Sequence, residues 1–489
     1  MQRKALTILH TNDLHSRFDA WPALAALARA RRRELEARGE PVLLLDAGDH
    51  LDFSHPLTLG TGGRANVRLL ESLGCQAFVP GNNETIRQTA SRLTTLASAS
   101  QVPWLAANLS LPDGAQPLPG LPPAAAVQAG GLRVGIVGVT ALFPNIFPYL
   151  GIGWRNTHQA VHEAVRSLRE DGCDLVLALS HLGLEEDRAL AASGLGLDAI
   201  IGGHSHHALA EGEEAAGVPI LQAGSFGRYL GEARLELEPQ APEPPAGAPA
   251  VRWRVADWHA RLWPVDPSGP SDRESLDILD EARRVADRHL SQVLAWLPEG
   301  LPHSMIGRSP LAERVAQALK ERWRAEIGLV NGGTMLTGLK AGPVTRRDLL
   351  ESIPSLVNPG LLEILGEDLR GLLEESEDGR YHAREVWGVG LRGQGVVLGR
   401  IFASGLTWRV RPDAPPGART YDVRVQDVPF DPRRWYRAGA CTLLAIPGVG
   451  YELPPRVRVV ERVWPDLVRD VFAEWLRSHC PPEPEAPVD

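Results

Sequence analysis

Five short stretches of this 489-residue chain place oxygen- and nitrogen-bearing side chains directly after apolar runs. They are His10-Thr11-Asn12-Asp13-Leu14-His15, Asp46-Ala47-Gly48-Asp49, Gly81-Asn82-Asn83-Glu84, Ser180-His181 and Gly202-Gly203-His204-Ser205-His206. Asp13, His15, Asp49, Asn82, His181, His204 and His206 supply carboxylates, imidazoles and one amide, donors that suit divalent first-row cations. A site for two such cations needs donors converging from several segments and one carboxylate able to bridge. Any one of these residues alone would more simply be a hydrogen-bonded group at a strand end. Their recurrence in the same place after each apolar run points to a dinuclear metal centre.

The elements that must position them follow from the runs themselves. Residues 5–9, 42–45, 77–80, 175–179 and 199–201 are short, continuous and apolar, as in strands buried on both faces. Helical patterns at 23–38 and 158–171 lie between them, so the order is that of an α/β layered domain. In such domains functional groups gather beyond the carboxyl ends of the strands, where all five clusters fall. The run Arg31-Arg32-Arg33 reads as a solvated helix face, and the Pro-rich stretch 239–249 as a surface loop between two strands. Residues 264–270 (PVDPSGP) mark a domain boundary, followed by a helix from Ser271 past Leu290. This gives domains 1–266 and 267–489, the second mixing helices and strands to about His479, in keeping with a chain too long for one core.

Composition narrows the partners. The chain is 44% hydrophobic and 23% charged, as soluble globular proteins are. A net charge of -9 argues against a nucleic-acid polymer, which needs clustered Lys and Arg, but not against a small anion whose charge a metal can meet. No apolar run is long enough to span a membrane. Cys75, Cys173, Cys441 and Cys480 are scattered without CxxC pairing and read as reduced thiols. The apolar stretch after Met1 ends at Leu9, too short for a secretory signal, so a cytoplasmic location is expected.

In this succession of motifs the chain resembles the calcineurin-like metallophosphoesterases and, within them, the bacterial 5′-nucleotidase group. It is similar to a cytoplasmic-type subgroup that carries Gly-Asn-Asn-Glu, here Gly81-Asn82-Asn83-Glu84. The resemblance implies a four-layer αββα-type catalytic domain and an α+β C-terminal domain that holds substrate. It implies that Asp13, His15 and His206 hold one metal, Asn82, His181 and His204 the other, and that Asp49 bridges them. The implied reaction is attack of a metal-bridging hydroxide on the phosphorus of a small organic phosphate, a nucleotide first among these. A 2′,3′-cyclic nucleotide, a nucleotide sugar, or a weakly active binding role are the alternatives, and a thiosulfo-ester substrate is a more distant one. The donor set does not distinguish Mn, Fe, Co and Zn.

Asn83 departs from the family pattern, which has histidine there to assist the leaving group. An amide donates a hydrogen bond but transfers no proton at neutral pH. Seven retained ligands nevertheless favour an active enzyme, with Asn83 and Asp49 as its catalytic positions. In the second domain, Val330-Asn331-Gly332-Gly333, Gly342-Pro343-Val344-Thr345 and Pro447-Gly448-Val449-Gly450-Tyr451 resemble landmarks of the nucleoside-holding domain. Asn331, Gly333, Arg400, Phe402 and Tyr451 are the expected substrate contacts. Met335-Leu336 stands where the family has Ile-Arg, and Arg400 and Leu443 where it has an aromatic pair. The resemblance therefore supports phosphoester hydrolysis more firmly than a nucleoside 5′-monophosphate substrate.

Overall fold

The computed structural model describes residues 4–239, 253–385, 397–445, 451 and 457–482. Most of the Pro-rich stretch and the landmark 447–450 lie outside the described residues, as does the side chain of Leu443. The chain divides into two compact units, Met1–Ala286 and Asp287–Asp489. The division falls within the helix Arg273–Leu290, which starts just beyond the 264–270 punctuation.

The first unit is built on two sheets. One has five strands in the order Trp253–Pro264, Tyr229–Pro239, Lys4–Thr11, Val42–Asp46, Ala77–Phe78. The other has six, in the order Glu213–Ala215, Val218–Leu221, Ala199–Gly202, Leu175–His181, Leu132–Thr140, Ala124–Ala129. The central strands read as unbroken aliphatic runs because both faces are covered, and the strand period of two divides each run between two cores. Leu6, Ile8, Leu43, Leu45, Val134, Ile136, Leu175, Leu177, Leu179 and Ile201 form one cluster shared by both sheets. The alternate residues Val137, Val139, Val176, Ala178 and Ile200 pack instead with Val161, Val165 and Leu190 of the helices Thr157–Glu170 and Leu184–Ala192. On the other side the helix Trp21–Ala37 lies on the strands Lys4–Thr11, Val42–Asp46 and Tyr229–Pro239. Each Leu or Ile so enclosed contributes about 1.5–3 kcal/mol by leaving water. The layers run helix, sheet, sheet, helix.

Register sets where the clusters emerge. In the first sheet Thr11 lies beside Asp46 and Asp46 beside Phe78, all in parallel strands. In the second, Thr140 lies beside His181, and Ser180 beside Gly202. The strands of each sheet thus end level with one another, and the polar clusters leave from one edge of each.

The second unit is α+β. A mixed five-stranded sheet runs in the order Ile401–Ser404, Ile327–Asn331, Trp435–Cys441, Pro359–Leu365, Val457–Arg462. The helix Pro310–Arg322, capped by Ser309 accepting from the Ala312 N–H, buries Leu311, Val315 and Leu319 with Ile327, Leu329 and Ala438 of that sheet.

Candidate metal centre

The turns after the strands are held in an unusual backbone state. Asp13, His15, Asp49, His204 and His206 have φ of 51°, 49°, 51°, 73° and 59°, the left-handed region that few non-glycine residues occupy. Each such residue costs about 1–3 kcal/mol and persists only where its surroundings over-determine it. Here they do: the Asp13 N–H donates to Gly48 O at 2.8 Å, His15 to Asp49 O at 2.9 Å and Ala47 to Thr11 O at 2.8 Å, lacing the first two loops together. Asn12 fastens the same loop to a third segment, accepting from Ala223 N at 2.8 Å and donating to Gly224 O at 2.7 Å. Close approach dictates two glycines. A Cβ on Gly48, itself at φ 91°, would stand 2.7 Å from His181 Nδ1, and one on Gly81 only 2.2 Å from Asp49 Oδ1.

These turns aim the donor atoms at one another. Asp13 Oδ1 is buried, accepts no hydrogen bond, and faces His206 Nε2 at 3.2 Å, His15 Nε2 at 3.7 Å and His181 Nε2 at 4.0 Å. Asp49 stands 3.8 Å from His15 Nε2 through Oδ2 and 3.5 Å from His181 Nε2 through Oδ1. Asn82 Oδ1 lies 2.8 Å from His204 Nδ1 and 3.3 Å from His181 Nε2. The sequence-expected residues are therefore brought together in two overlapping groups: Asp13, His15 and His206 around one point, Asp49, Asn82, His181 and His204 around another. Two carboxylates, four imidazoles and an amide oxygen converge with one carboxylate oxygen left unsatisfied. That donor chemistry fits a pair of divalent cations.

The electrostatics agree. Burial alone would raise Asp13, yet the imidazoles of His15, His206 and His181 hold it well below the usual carboxylate range. Asp49 is likewise lowered against its burial, by His181 and His15. Burial alone would lower His181, but Asp49 and then Asp13 push it up to about 10. The two carboxylates thus draw positive charge to this spot. His181 Nδ1 lies 2.7 Å from Ala47 O, which keeps a ring proton on Nδ1 and leaves Nε2 as the nitrogen that faces the site.

Carboxyls beneath the ligands brace the loops. Glu84 accepts from Gly81 N at 2.7 Å and from Leu51 N at 2.8 Å, and burial, followed by the charge of Asp49, pushes it up to about 8. Asp46 accepts from Thr11 Oγ1 at 2.6 Å, and burial pushes it up to about 7. Asp187 binds Ser180 Oγ behind His181.

Asn83 is 2% exposed. Its backbone N–H donates to Asp49 Oδ1 at 2.7 Å, and its side-chain amide lies 2.7 Å from His15 Nδ1. For His15 to offer Nε2 to a cation, Nδ1 must carry the proton, and the Asn83 amide then turns its oxygen to accept it. The side chain orients one ligand and the backbone another. Three histidines adjoining the ligand segments have other partners: His50 is packed edge-on to Trp21 at 4.9 Å and lowered to about 3 by burial, His55 caps the helix Pro56–Thr61, and His207 Nδ1 pairs with Ser205 Oγ at 2.9 Å.

Sequence reasoning passed over Asn12, Glu84 and Asp187, and also Phe226, whose ring lies 5.3 Å from that of His15 and 5.5 Å from that of His206. No local signal marked Phe226, which stands some way beyond the end of the strand Val218–Leu221.

In the second unit the expected substrate contacts lie among internal partners. Asn331 is buried, donates to Leu398 O at 2.9 Å and accepts from Thr334 Oγ1 at 2.8 Å. A Cβ on Gly333 would collide with Val397 O at 1.8 Å. Phe402 and Tyr451 belong to the core, the Tyr451 hydroxyl donating to Gly399 O. Arg400 Nε donates to Glu377 at 2.8 Å, and Trp408 Nε1 donates to the same oxygen at 2.8 Å.

The chain is similar to known proteins in sequence and in fold. The Calcineurin-like phosphoesterase family model matches residues 6–208, and the 5′-nucleotidase, C-terminal domain model matches residues 298–453. The uncharacterised metallophosphoesterase YunD of Bacillus subtilis is 30% identical over 404 residues, covering 83% of this chain and 84% of that protein. A snake venom 5′-nucleotidase of Gloydius brevicauda is 33% identical over 264 residues, 46% of this chain and 44% of the venom protein, so less than half of its length is spanned. The 5′-nucleotidase precursor of Thermus thermophilus has the same fold at TM-score 0.55 and 21% identity, covering 97% of this chain and 96% of that one. The NAD nucleotidase of Haemophilus influenzae does so at TM-score 0.62 and 16% identity, covering 98% and 97%. With the fold, the loop-end donors and a relative matched over more than four-fifths of both chains in agreement, the chain belongs to the calcineurin-like metallophosphoesterases, a family of phosphoester hydrolases, and carries a 5′-nucleotidase C-terminal domain.

Proposed function

We propose that the chain hydrolyses a small organic phosphoester, a nucleotide first among these. Asp13, His15 and His206 would hold one divalent cation, Asn82, His181 and His204 a second, and Asp49 would be shared. The observation that carries this reading is the buried Asp13 Oδ1, which accepts no hydrogen bond yet has three imidazole nitrogens within 4.0 Å. Bound divalent cations supply Lewis-acid charge to phosphoryl oxygens and lower the pKa of water. The protein's part is to fix the donors before substrate arrives. Ala47 O sets the His181 tautomer, Asn83 N–H holds Asp49 Oδ1, and Asn12 and the His204 N–H hold Asp13 Oδ2 at 2.8 and 2.9 Å.

No proton is available from position 83, so the leaving alkoxide takes its proton from another donor or departs unassisted, and esters with good leaving groups should turn over fastest. The nucleotide reading is supported by the second unit's family and by similarity to nucleotidases across both halves of the chain. A cytoplasmic setting is supported by four free cysteines. No helix among the described residues is long and apolar enough to cross a membrane.

The test is phosphate release by the Mn²⁺-loaded protein from nucleoside 5′-monophosphates, 2′,3′-cyclic nucleotides, nucleotide sugars and p-nitrophenyl phosphate. Release from at least one, with the aryl ester fastest, supports the proposal. No release from any, with metal bound, would assign the site to binding instead.

A further inference from the structure

Phe226 has no part in holding a cation, yet it is among the most conspicuous residues of the first unit. Its side chain is 37% exposed, and its φ of 62° is a left-handed state that bulky residues rarely adopt. Strain of this kind persists where surrounding structure enforces it, and the enforcing contact is here: the Phe226 N–H donates to Asp13 O at 2.7 Å. The ring therefore rides on the ligand loop itself, beside His15 and His206. Two guanidinium groups lie over it, Arg17 at 5.2 Å and Arg228 at 5.9 Å from its centroid. Arg228 is steadied by Ser225, through Nε to the backbone oxygen at 3.1 Å and Nη2 to Oγ at 3.0 Å.

Neither arginine pairs with a carboxylate among the described residues, although Asp19 stands exposed two residues from Arg17. Elsewhere in the unit, Arg29, Arg31, Arg169 and Arg188 all meet carboxylates within 3.0 Å. An aromatic face orients a guanidinium without neutralising it, so both cations keep their charge for an incoming group. Positive charge at this rim opposes metal binding and favours an anion, in a protein whose net charge is -9.

We propose that Arg17, Phe226 and Arg228 form an anion subsite at the rim of the metal centre that receives a second phosphate of the substrate, so that substrates bearing two phosphates are preferred over monophosphates. The proposal rests on the hydrolase reading above and deepens it by naming the substrate class. It also supplies cationic recognition from the first unit, where the second has Met335-Leu336 in place of the expected Ile-Arg pair.

The test compares binding of methylenediphosphonate and methylphosphonate, neither of which is hydrolysed, by calorimetry on the metal-loaded protein. The wild type should prefer the diphosphonate. The double variant R17A/R228A should lose about tenfold or more of that preference, the scale of a charge-assisted contact. Phe226→Leu should lose less. A preference retained within twofold in the double variant, with unchanged thermal unfolding, would overturn the proposal. AMP and ADP turnover measured alongside separates the two readings. No turnover of either, with the diphosphonate preference still lost in the variant, ends the hydrolase reading and upholds the subsite. Turnover with the preference intact ends the subsite alone.

Discussion

Polar residues that follow strands have the same appearance in the sequence of both units, and the structure treats them in opposite ways. In the first unit, Asp13, His15, Asp49, His204 and His206 are pinned in left-handed backbone, the donors face one another, and Asp13 Oδ1 is left without a hydrogen-bond partner. In the other, Asn331, also at the end of a buried strand, donates to Leu398 O and accepts from Thr334. Arg400 is likewise answered by Glu377 and Tyr451 by Gly399. Unmet polar groups held at an energetic cost mark a site that awaits charge, whereas satisfied ones mark architecture. Substitutions should accordingly damage chemistry in the first unit and stability in the second.

The largest effect falls on Asp49, whose carboxylate faces both groups of imidazoles. Asp49→Ala should lower phosphate release beyond the roughly 100-fold seen when a residue supporting a ligand is lost. Retention of a tenth of the activity would place the shared carboxylate elsewhere. Next is pH. In the metal-free protein His181 is pushed up to about 10, so a cation binding through Nε2 must displace a proton. With a folded pKa above the ordinary histidine value, the proton is held below about 10. Metal affinity should therefore rise by about tenfold per pH unit across the neutral range. Titration calorimetry in buffers of different ionisation enthalpy would read the proton released, and a pH-independent affinity would remove His181 from the donor set.

Asn83 comes third. Its side chain meets His15 Nδ1, so Asn83→Ala should weaken metal binding about 10- to 100-fold. Asn83→Asp, which keeps an acceptor facing Nδ1, should restore most of the loss. If the alanine variant binds metal normally but loses activity only on poor leaving groups, position 83 acts on substrate and not through His15.

Much of this is legible in the sequence. The aliphatic runs announced two-face burial, and the same runs placed the donors at strand ends because parallel register brings those ends level. All seven expected donors converge. What could not be read was what depends on unions across long separations. Glu84 stands in one of the five polar stretches, but its role lies in joining Gly81 to Leu51, and the orientation of Asn83 depends on a histidine 68 residues away. Phe226 escaped because its significance comes from a backbone bond to Asp13 that no local pattern encodes. In the second unit the motif residues were legible as a family resemblance, but burial decides whether a side chain meets substrate or core, and isolated positions carry no signal of that. Helix ends shifted by a residue or two, as at Trp21–Ala37, since fraying ends depend on caps rather than on periodicity.

The smallest expected effect is also the sharpest test of the contrast between the units. Tyr451 is buried, and its hydroxyl satisfies Gly399 O, a donor that Tyr451→Phe would remove while keeping the ring. Leaving one buried carbonyl unpaired costs about 1–3 kcal/mol, so the variant should unfold at a measurably lower denaturant concentration. Its KM and metal affinity should stay within twofold of the wild type, because the residue acts on the core that Ile401 and Phe402 share with it. A tenfold rise in KM without loss of stability would reverse that assignment: the hydroxyl would then be reaching substrate, and satisfaction by an internal partner would no longer distinguish architecture from recognition in this chain.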